Sequence, residues 1–176
     1  MKNILIVSGH TDLTNSVANK KILEELSKRL PNAKIDYLSE LYPNYIINVE
    51  EEQKKLLKAD IIVLQYPLFW YSMPSLLERW MEETFKHGFS HGSTGDKLKG
   101  KKIIVSLTTG APEESYSNID DFLNPIKAIC KLCQMEYTSS IVTYGVSYQI
   151  RNNKGKEIEE KAVNHADRLI AIINNL

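Results

Sequence analysis

Asp60-Ile61-Ile62-Val63-Leu64-Gln65-Tyr66-Pro67-Leu68-Phe69-Trp70-Tyr71-Ser72-Met73-Pro74 carries the pattern that decides this fold. Its first half is an unbroken apolar, β-branched run, as expected of a strand covered on both faces. Its second half is aromatic, and Pro74 then suits the first turn of a helix over 73–85 with Leu76, Leu77, Trp80 and Met81 on one side. Strand, loop and helix recur in that order along the chain. Residues 3–8, 33–38, 102–108 and 137–144 are further short apolar runs. Between them, 16–30 shows an apolar stripe of Ala18, Ile22, Leu23, Leu26 and Leu30 among lysines and glutamates. Asn124-Pro125 reads as an N-cap followed by proline at the first helical position, opening a helix to about Gln134. A last helix over 156–174 aligns Ile158, Ala162, Ala166, Leu169, Ile170 and Ile173.

Five strands alternating with helices call for a parallel sheet with helices on both faces. Right-handed crossovers with one chain reversal give an α/β, doubly wound, five-stranded sheet in the flavodoxin-like order 2-1-3-4-5. Ligands of such sheets sit outside the carboxyl ends of the strands at the switch point, so the loops after strands 1, 3 and 4 carry the functional information.

Composition narrows the function from outside. At 176 residues the chain is expected to be one domain over 1–176, with an ordinary 43% hydrophobic and 25% charged content. Lys plus Arg and Asp plus Glu are both 22, which leaves no electrostatic footprint for nucleic acid. No apolar run approaches the roughly 20 residues that span a bilayer. Met1-Lys2-Asn3 leads straight into an apolar run too short for a signal-peptide core, and two cysteines suit a reducing cytoplasm.

The loop after strand 1, Ser8-Gly9-His10-Thr11-Asp12-Leu13-Thr14-Asn15-Ser16, is rich in hydroxyls and runs into a helix N-terminus. Free N–H groups and the positive end of the helix dipole at 16–19 suit a phosphate, and the first helical turn lacks the acids that normally favour it. An ordinary N-cap at Ser16 is the plain alternative. Neither G-x-G-x-x-G nor G-x-x-x-x-G-K-[ST] is present, so a dinucleotide fingerprint and a P-loop are both absent. The loop after strand 3 holds four aromatics in the six residues 66–71, where a 9% aromatic content predicts about half of one. Flat ligands are held by such side chains, although a subunit interface would also use them. The loop after strand 4, Leu107-Thr108-Thr109-Gly110-Ala111-Pro112, offers hydroxyls and a glycine where a backbone could pass close to a ligand. Together these loops describe a site for a mononucleotide with a large flat ring, and FMN fits.

With those residues set out, the chain resembles the flavodoxin-like NAD(P)H:quinone oxidoreductases. The resemblance is in particular to the short bacterial branch that includes the ancillary oxidoreductase of glutathione-regulated potassium efflux. Modulator-of-drug-activity quinone reductases and DT-diaphorase are more distant. The resemblance is densest at Gly9-His10 with Ser16-Val17-Ala18-Asn19, from Pro67 through Trp80, and at Thr108-Thr109-Gly110. It implies that His10, Ser16, Val17, Ala18 and Asn19 hold the flavin's phosphate and ribityl tail. It implies that Pro67, Leu68, Phe69, Trp70 and Tyr71, with Thr108, Thr109, Gly110 and Ala111, hold the ring. The cofactor implied is FMN, with FAD the alternative for a longer chain, and NAD(P)H is the co-substrate. DT-diaphorase has a Tyr and a His over the ring; Tyr116 matches the Tyr by spacing, but Phe122 stands at the His position and leaves a Tyr–His relay without its partner.

The expected chemistry is two-electron hydride transfer from NAD(P)H to a quinone or similar acceptor, with donor and acceptor taking the same slot in turn and Trp70 and Tyr116 beside it. A homodimer is expected. Leu76, Leu77, Trp80 and Met81 span a broad helical arc, so part of it, with Phe69 and Phe85, is expected to face a second subunit. The competing function is a regulatory subunit docked on a potassium-efflux transporter, at the inner face of the membrane. An acidic flavodoxin carrier and a receiver domain fit less well, the latter because Ser8-Gly9 and Tyr66-Pro67 stand where it needs acids. Cys130-x-x-Cys133 falls on a helix and is expected to be buried and inert. His87 and His91 are expected to end a helix with Gly88 past its C-cap, with no metal site; His165, on the last helix, suggests nothing.

Overall fold

β1 (Ile4–Ser8), β2 (Lys34–Tyr37), β3 (Ile61–Pro67), β4 (Lys102–Thr108) and β5 (Glu136–Thr143) pair in parallel in the order β2-β1-β3-β4-β5. This computed structural model describes the backbone of residues 2–147 and 151–176, and the side chains of all of these except 151–154. The helices are α1 (Val17–Arg29), a one-turn α2 (Leu38–Leu41), α3 (Val49–Lys58), α4 (Ser75–Thr84), α5 (Asn124–Leu132) and α6 (Arg151–Asn174). All of β3 is buried, as its continuous apolar sequence requires of a central strand.

Two cores sandwich the sheet. On one face Leu5, Ile62, Leu64 and Val105 pack against Leu56 of α3, Leu76, Leu77 and Trp80 of α4, and Ile126 of α5. On the other, Ile6, Val63, Ile104 and Ile141 pack against Ile22, Leu23 and Leu26 of α1 and Ala162, Ala166 and Leu169 of α6. Strand alternation then carries a polar row onto this second face at the carboxyl ends, since Ser8 follows Ile6, Gln65 follows Val63, Ser106 follows Ile104 and Thr143 follows Ile141 by two residues. All four are buried.

Four sequence expectations change, the simplest being that Leu123 and not Asn124 is the N-cap residue of α5, with Asn124 already inside the helix. Helix α3 was not anticipated, although Asn48 caps it with its side chain accepting from Glu51 N–H, acids fill its first turn and lysines its last. Its inward face carries a charge as well as a leucine. Glu52 is fully buried, accepting from Tyr42 Oη (2.5 Å) and Trp80 Nε1 (2.8 Å), and it pairs with Lys55, which also reaches Asp36. Burial opposes ionisation of Glu52, but these donors together hold its carboxyl below the usual range; Asp36, buried and beside the Glu52 charge, is pushed up despite Lys55. The apolar arc of α4 is covered by the chain itself, with Leu76, Leu77, Trp80 and Met81 all buried, so it supplies no face for a second subunit. The reason is that α3, invisible to an apolar periodicity, supplies the second wall. Finally, α4 ends at Thr84 with Phe85 as C-cap, and Gly88 (φ +81°) instead turns the chain so that its N–H meets His91 O at 2.8 Å.

Candidate functional site

At the carboxyl ends of β1, β3 and β4 lies a cavity of about 410 Å³, within the range of small-molecule sites. Its tail end is built by the chain entering α1. Ser16 caps that helix, its Oγ accepting from Asn19 N–H at 3.2 Å. The N–H groups of Val17 and Ala18 have no acceptor within a helix of this geometry, and no acid occupies the first turn. His10 lines the same end. Its Nδ1 accepts from Asp12 N–H at 3.0 Å, which puts the proton of the neutral ring on Nε2. Burial pushes its pKa down, against the nearby Asp12 charge, and so keeps it neutral. Asp12 is the one acid on the wall, and its carboxylate is occupied by Thr14 N–H and Oγ1 and by Asn15 Nδ2, which lower its pKa.

The ring end is apolar on one side and backbone on the other. Pro67, Leu68 and Phe69 line it, with Phe69 edge-on to His10 at 5.5 Å between centroids. Opposite stand Thr108, Thr109 and Gly110. A Cβ on Gly110 would meet only Ser147, at ordinary contact distances of 3.7–3.9 Å, so packing within the chain does not require glycine there. Both threonine hydroxyls are spent on the protein, Thr108 Oγ1 donating to Asn19 Oδ1 (3.1 Å) and Thr109 Oγ1 to Ala111 O (2.8 Å). Among the described residues the N–H groups of Gly110 and Ala111 remain as donors of this loop.

The sequence-derived residues divide into those on the cavity and those beside it. His10, Ser16, Val17, Asn19, Pro67, Leu68, Phe69, Thr108, Thr109 and Gly110 line it. Ala18 is buried beneath it, and Ala111, Trp70, Tyr71 and Tyr116 do not reach its wall. Trp70 is 95% exposed. It and Tyr71 occupy a tight turn in which Phe69 and Ser72 exchange both backbone hydrogen bonds (3.1 and 2.9 Å), with φ of +50° at Trp70 and +63° at Tyr71. That is the turn normally made by Asn-Gly, and two large side chains there are strained. Tyr71, Tyr116, Phe122 and Tyr144 form an aromatic cluster with centroids 5.3–6.4 Å apart.

A fourth wall was missed. Val146 and Ser147, after β5, and Ile158 of α6 also line the cavity. Gly145, at φ +70°, bends the chain so that its N–H meets Ala111 O and Val146 N–H meets Thr109 O. The signal was Gly145 following a strand next to β4. His165 is a second omission: it is fully buried, between Ser106 Oγ (2.7 Å) and Thr143 Oγ1 (2.8 Å), with its pKa pushed down to about 3 by burial and then by Arg168. The thiols behave as expected, both buried, with burial pushing Cys130 up to about 11 and Cys133 upward. Among the described residues no cluster of His, Cys, Asp and Glu could hold a metal. Among the described residues no helix is long and apolar enough to cross a membrane.

A cavity at the switch point, outside the carboxyl ends of the strands, is where doubly wound α/β proteins hold their ligands. Residues 2–169 match a protein family described as having a flavodoxin-like fold, and the chain belongs to that family. It is 32% identical over 177 residues to the uncharacterised NAD(P)H oxidoreductase YrkL of Bacillus subtilis, covering 97% of this chain and 96% of that one. It is 36% identical over 139 residues to the glutathione-regulated potassium-efflux system ancillary protein KefF of Enterobacter sp., covering 76% and 78%. The crystal structure of general stress protein 14 from Treponema denticola in complex with FMN superposes with a TM-score of 0.86 at 26% identity, over 98% of this chain and 99% of that one.

Proposed function

We propose that this protein is a flavin-dependent NAD(P)H oxidoreductase that holds FMN in the switch-point cavity and reduces a quinone or similar small acceptor. The observation that carries the reading is the polarity of that one cavity. An acid-free helix N-terminus and the His10 Nε2–H face one end, and Pro67–Phe69 with the bare Gly110 backbone face the other. The residues fit the group: donors for an anion at the tail, and at the ring an apolar side chain on one face with the Gly110 N–H, unpaired among the described residues, on the other. The similarity to an FMN complex and to an NAD(P)H oxidoreductase supports the same reading.

FMN held there would supply the redox chemistry, a two-electron transfer from NAD(P)H to the acceptor. The chain's own work is placement. Val17 and Ala18 N–H, at the positive end of α1, would hold the phosphate, and His10, its pKa lowered by burial, would donate from Nε2. Leu68 and Phe69 would exclude water from one face of the ring, and the Gly110 amide would hydrogen-bond its polar edge. Donor and acceptor share the remaining open face and therefore bind in turn, which gives ping-pong kinetics. Tyr116 has Phe122 as an aromatic neighbour, so its role is to orient substrates, with no histidine beside it to relay a proton. Purified protein incubated with FMN should show flavin bands near roughly 370 and 450 nm at one flavin per chain, and parallel-line kinetics with NAD(P)H and a soluble quinone. Absence of both bands after incubation with excess FMN and FAD rejects the proposal.

The KefF similarity favours a second role on the same chain, as an ancillary subunit docked on a potassium-efflux transporter. Co-purification with such a transporter, with negligible quinone turnover, would make that role the primary one.

A further inference from the structure

Asn19 is 3% exposed and sits where three site loops meet, yet its side-chain hydrogen bonds run into the protein. Oδ1 accepts from Gln65 Nε2 at 2.6 Å and from Thr108 Oγ1 at 3.1 Å, and Nδ2 donates to Ser16 Oγ at 3.0 Å. Each partner belongs to a different wall. Ser16 caps α1. Gln65 lies two residues before Pro67, and its backbone carbonyl also receives Gly9 N–H at 2.8 Å. Thr108 ends β4 and opens the loop bared by Gly110.

We propose that Asn19 is a positioning residue of the cofactor site: its amide sets the tail end and the two ring walls in register, and its side chain does not bind the phosphate. The proposal rests on the flavin reading above. Both lone pairs of Oδ1 are in use. Gln65 and Thr108 are 0% and 1% exposed, so removing the amide takes the acceptor from two buried donors where hydrogen bonds are strong. Such a loss is felt along the whole ligand. Loss of a phosphate contact is felt only by a ligand that has a phosphate.

Riboflavin, which is FMN without its phosphate, separates the two roles. Titrations of each flavin, followed by fluorescence quenching, compare the wild type with Asn19→Ala, Thr108→Val and Thr108→Ser. Asn19→Ala should weaken FMN and riboflavin by the same factor, about tenfold or more. Thr108→Val, which removes only the hydroxyl's bond, should do likewise, and Thr108→Ser, which keeps the hydroxyl, should restore both affinities. The double variant Asn19→Ala/Thr108→Val should be no weaker than the weaker single, because the two changes break one network. An Asn19→Ala protein that loses FMN affinity but keeps that for riboflavin overturns the proposal and makes Asn19 a phosphate contact. If Asn19→Ala does not fold, the Thr108 pair decides, and equal affinities of its Val and Ser forms overturn it. A wild type that takes up neither flavin rejects the flavin reading, and this proposal with it.

Discussion

His165 and Trp70 show how far a single residue's role depends on its surroundings. His165 sits on a helical stripe, and nothing in its sequence neighbourhood marks it, yet β4 and β5 each supply it with a buried hydroxyl. Its unfolded pKa is near 6.5 and its folded pKa about 3, so between those values the unfolded chain binds the extra proton. Stability therefore rises with pH across that window, and falls as pH drops below about 6.5. Denaturant titrations from about pH 7 to about pH 5 should show the wild type losing about 2 kcal/mol more than His165→Gln, which has no proton to take up. Equal losses would mean that the ring is protonated in the folded state. Trp70 is the reverse case. It is conspicuous in sequence, and the fold holds it 95% exposed on a left-handed turn that costs energy to maintain.

At the scale of elements, α1 is positioned by its stripe of Ala18, Ile22, Leu23 and Leu26 against β1, β3 and α6, and so its N-terminus points at the cavity. Asp caps a helix as well as Ser does, so Ser16→Asp should leave the melting temperature within a few degrees of wild type. The added charge faces the anion end of the cavity. FMN affinity should fall about tenfold or more, with riboflavin affinity nearly unchanged, by the same fluorescence titration. Unchanged FMN affinity would place the phosphate elsewhere. The contrast with α3 is instructive. Its capping signals are strong, but with Glu52 and Leu56 as its buried residues it has almost no apolar stripe, and hydrophobic periodicity passes over it. Glu52 is tolerated inside because Tyr42, Lys55 and Trp80 all donate to it, and none of those partners is within one helical turn except Lys55.

For the whole molecule, the proposed homodimer must use a surface other than the one α4 suggested. Among the described residues the exposed apolar side chains include Trp70 and Tyr71, next in the chain to Phe69, which lines the cavity and is itself 39% exposed. A strained turn that holds a tryptophan in water is consistent with a second copy covering it, and an aromatic anchor is the side chain that contributes most to such a contact. Sedimentation velocity at micromolar concentration should give a dimer for the wild type and monomers for Trp70→Glu, with the melting temperature of the isolated fold preserved. A wild-type monomer with full turnover would contradict this. Trp80→Glu is not the variant to use, because Trp80 is fully buried and its indole N–H donates to Glu52, so the change would attack the core.

What the sequence determined by itself is what local pattern encodes. Continuous apolar runs such as Ile61-Ile62-Val63-Leu64 required strands buried on both faces, and their alternation with helices left a doubly wound sheet as the economical order. That order named the loops after β1, β3 and β4, and most of the residues expected there do line the cavity. Tertiary structure decided everything that depends on which groups meet at long range. Asn19 turns inward because Gln65 and Thr108, distant by 46 and 89 positions, arrive beneath it. Thr108 spends its hydroxyl on Asn19 for the same reason, while Thr109 gives its own to Ala111 O two residues on, and the loop's donors become backbone N–H groups, which no side-chain pattern can show. The wall at Val146 and Ser147 exists because β5 lies beside β4. Glu52 and His165 are inside because partners on other elements satisfy them, and a buried polar group is allowed only where that happens.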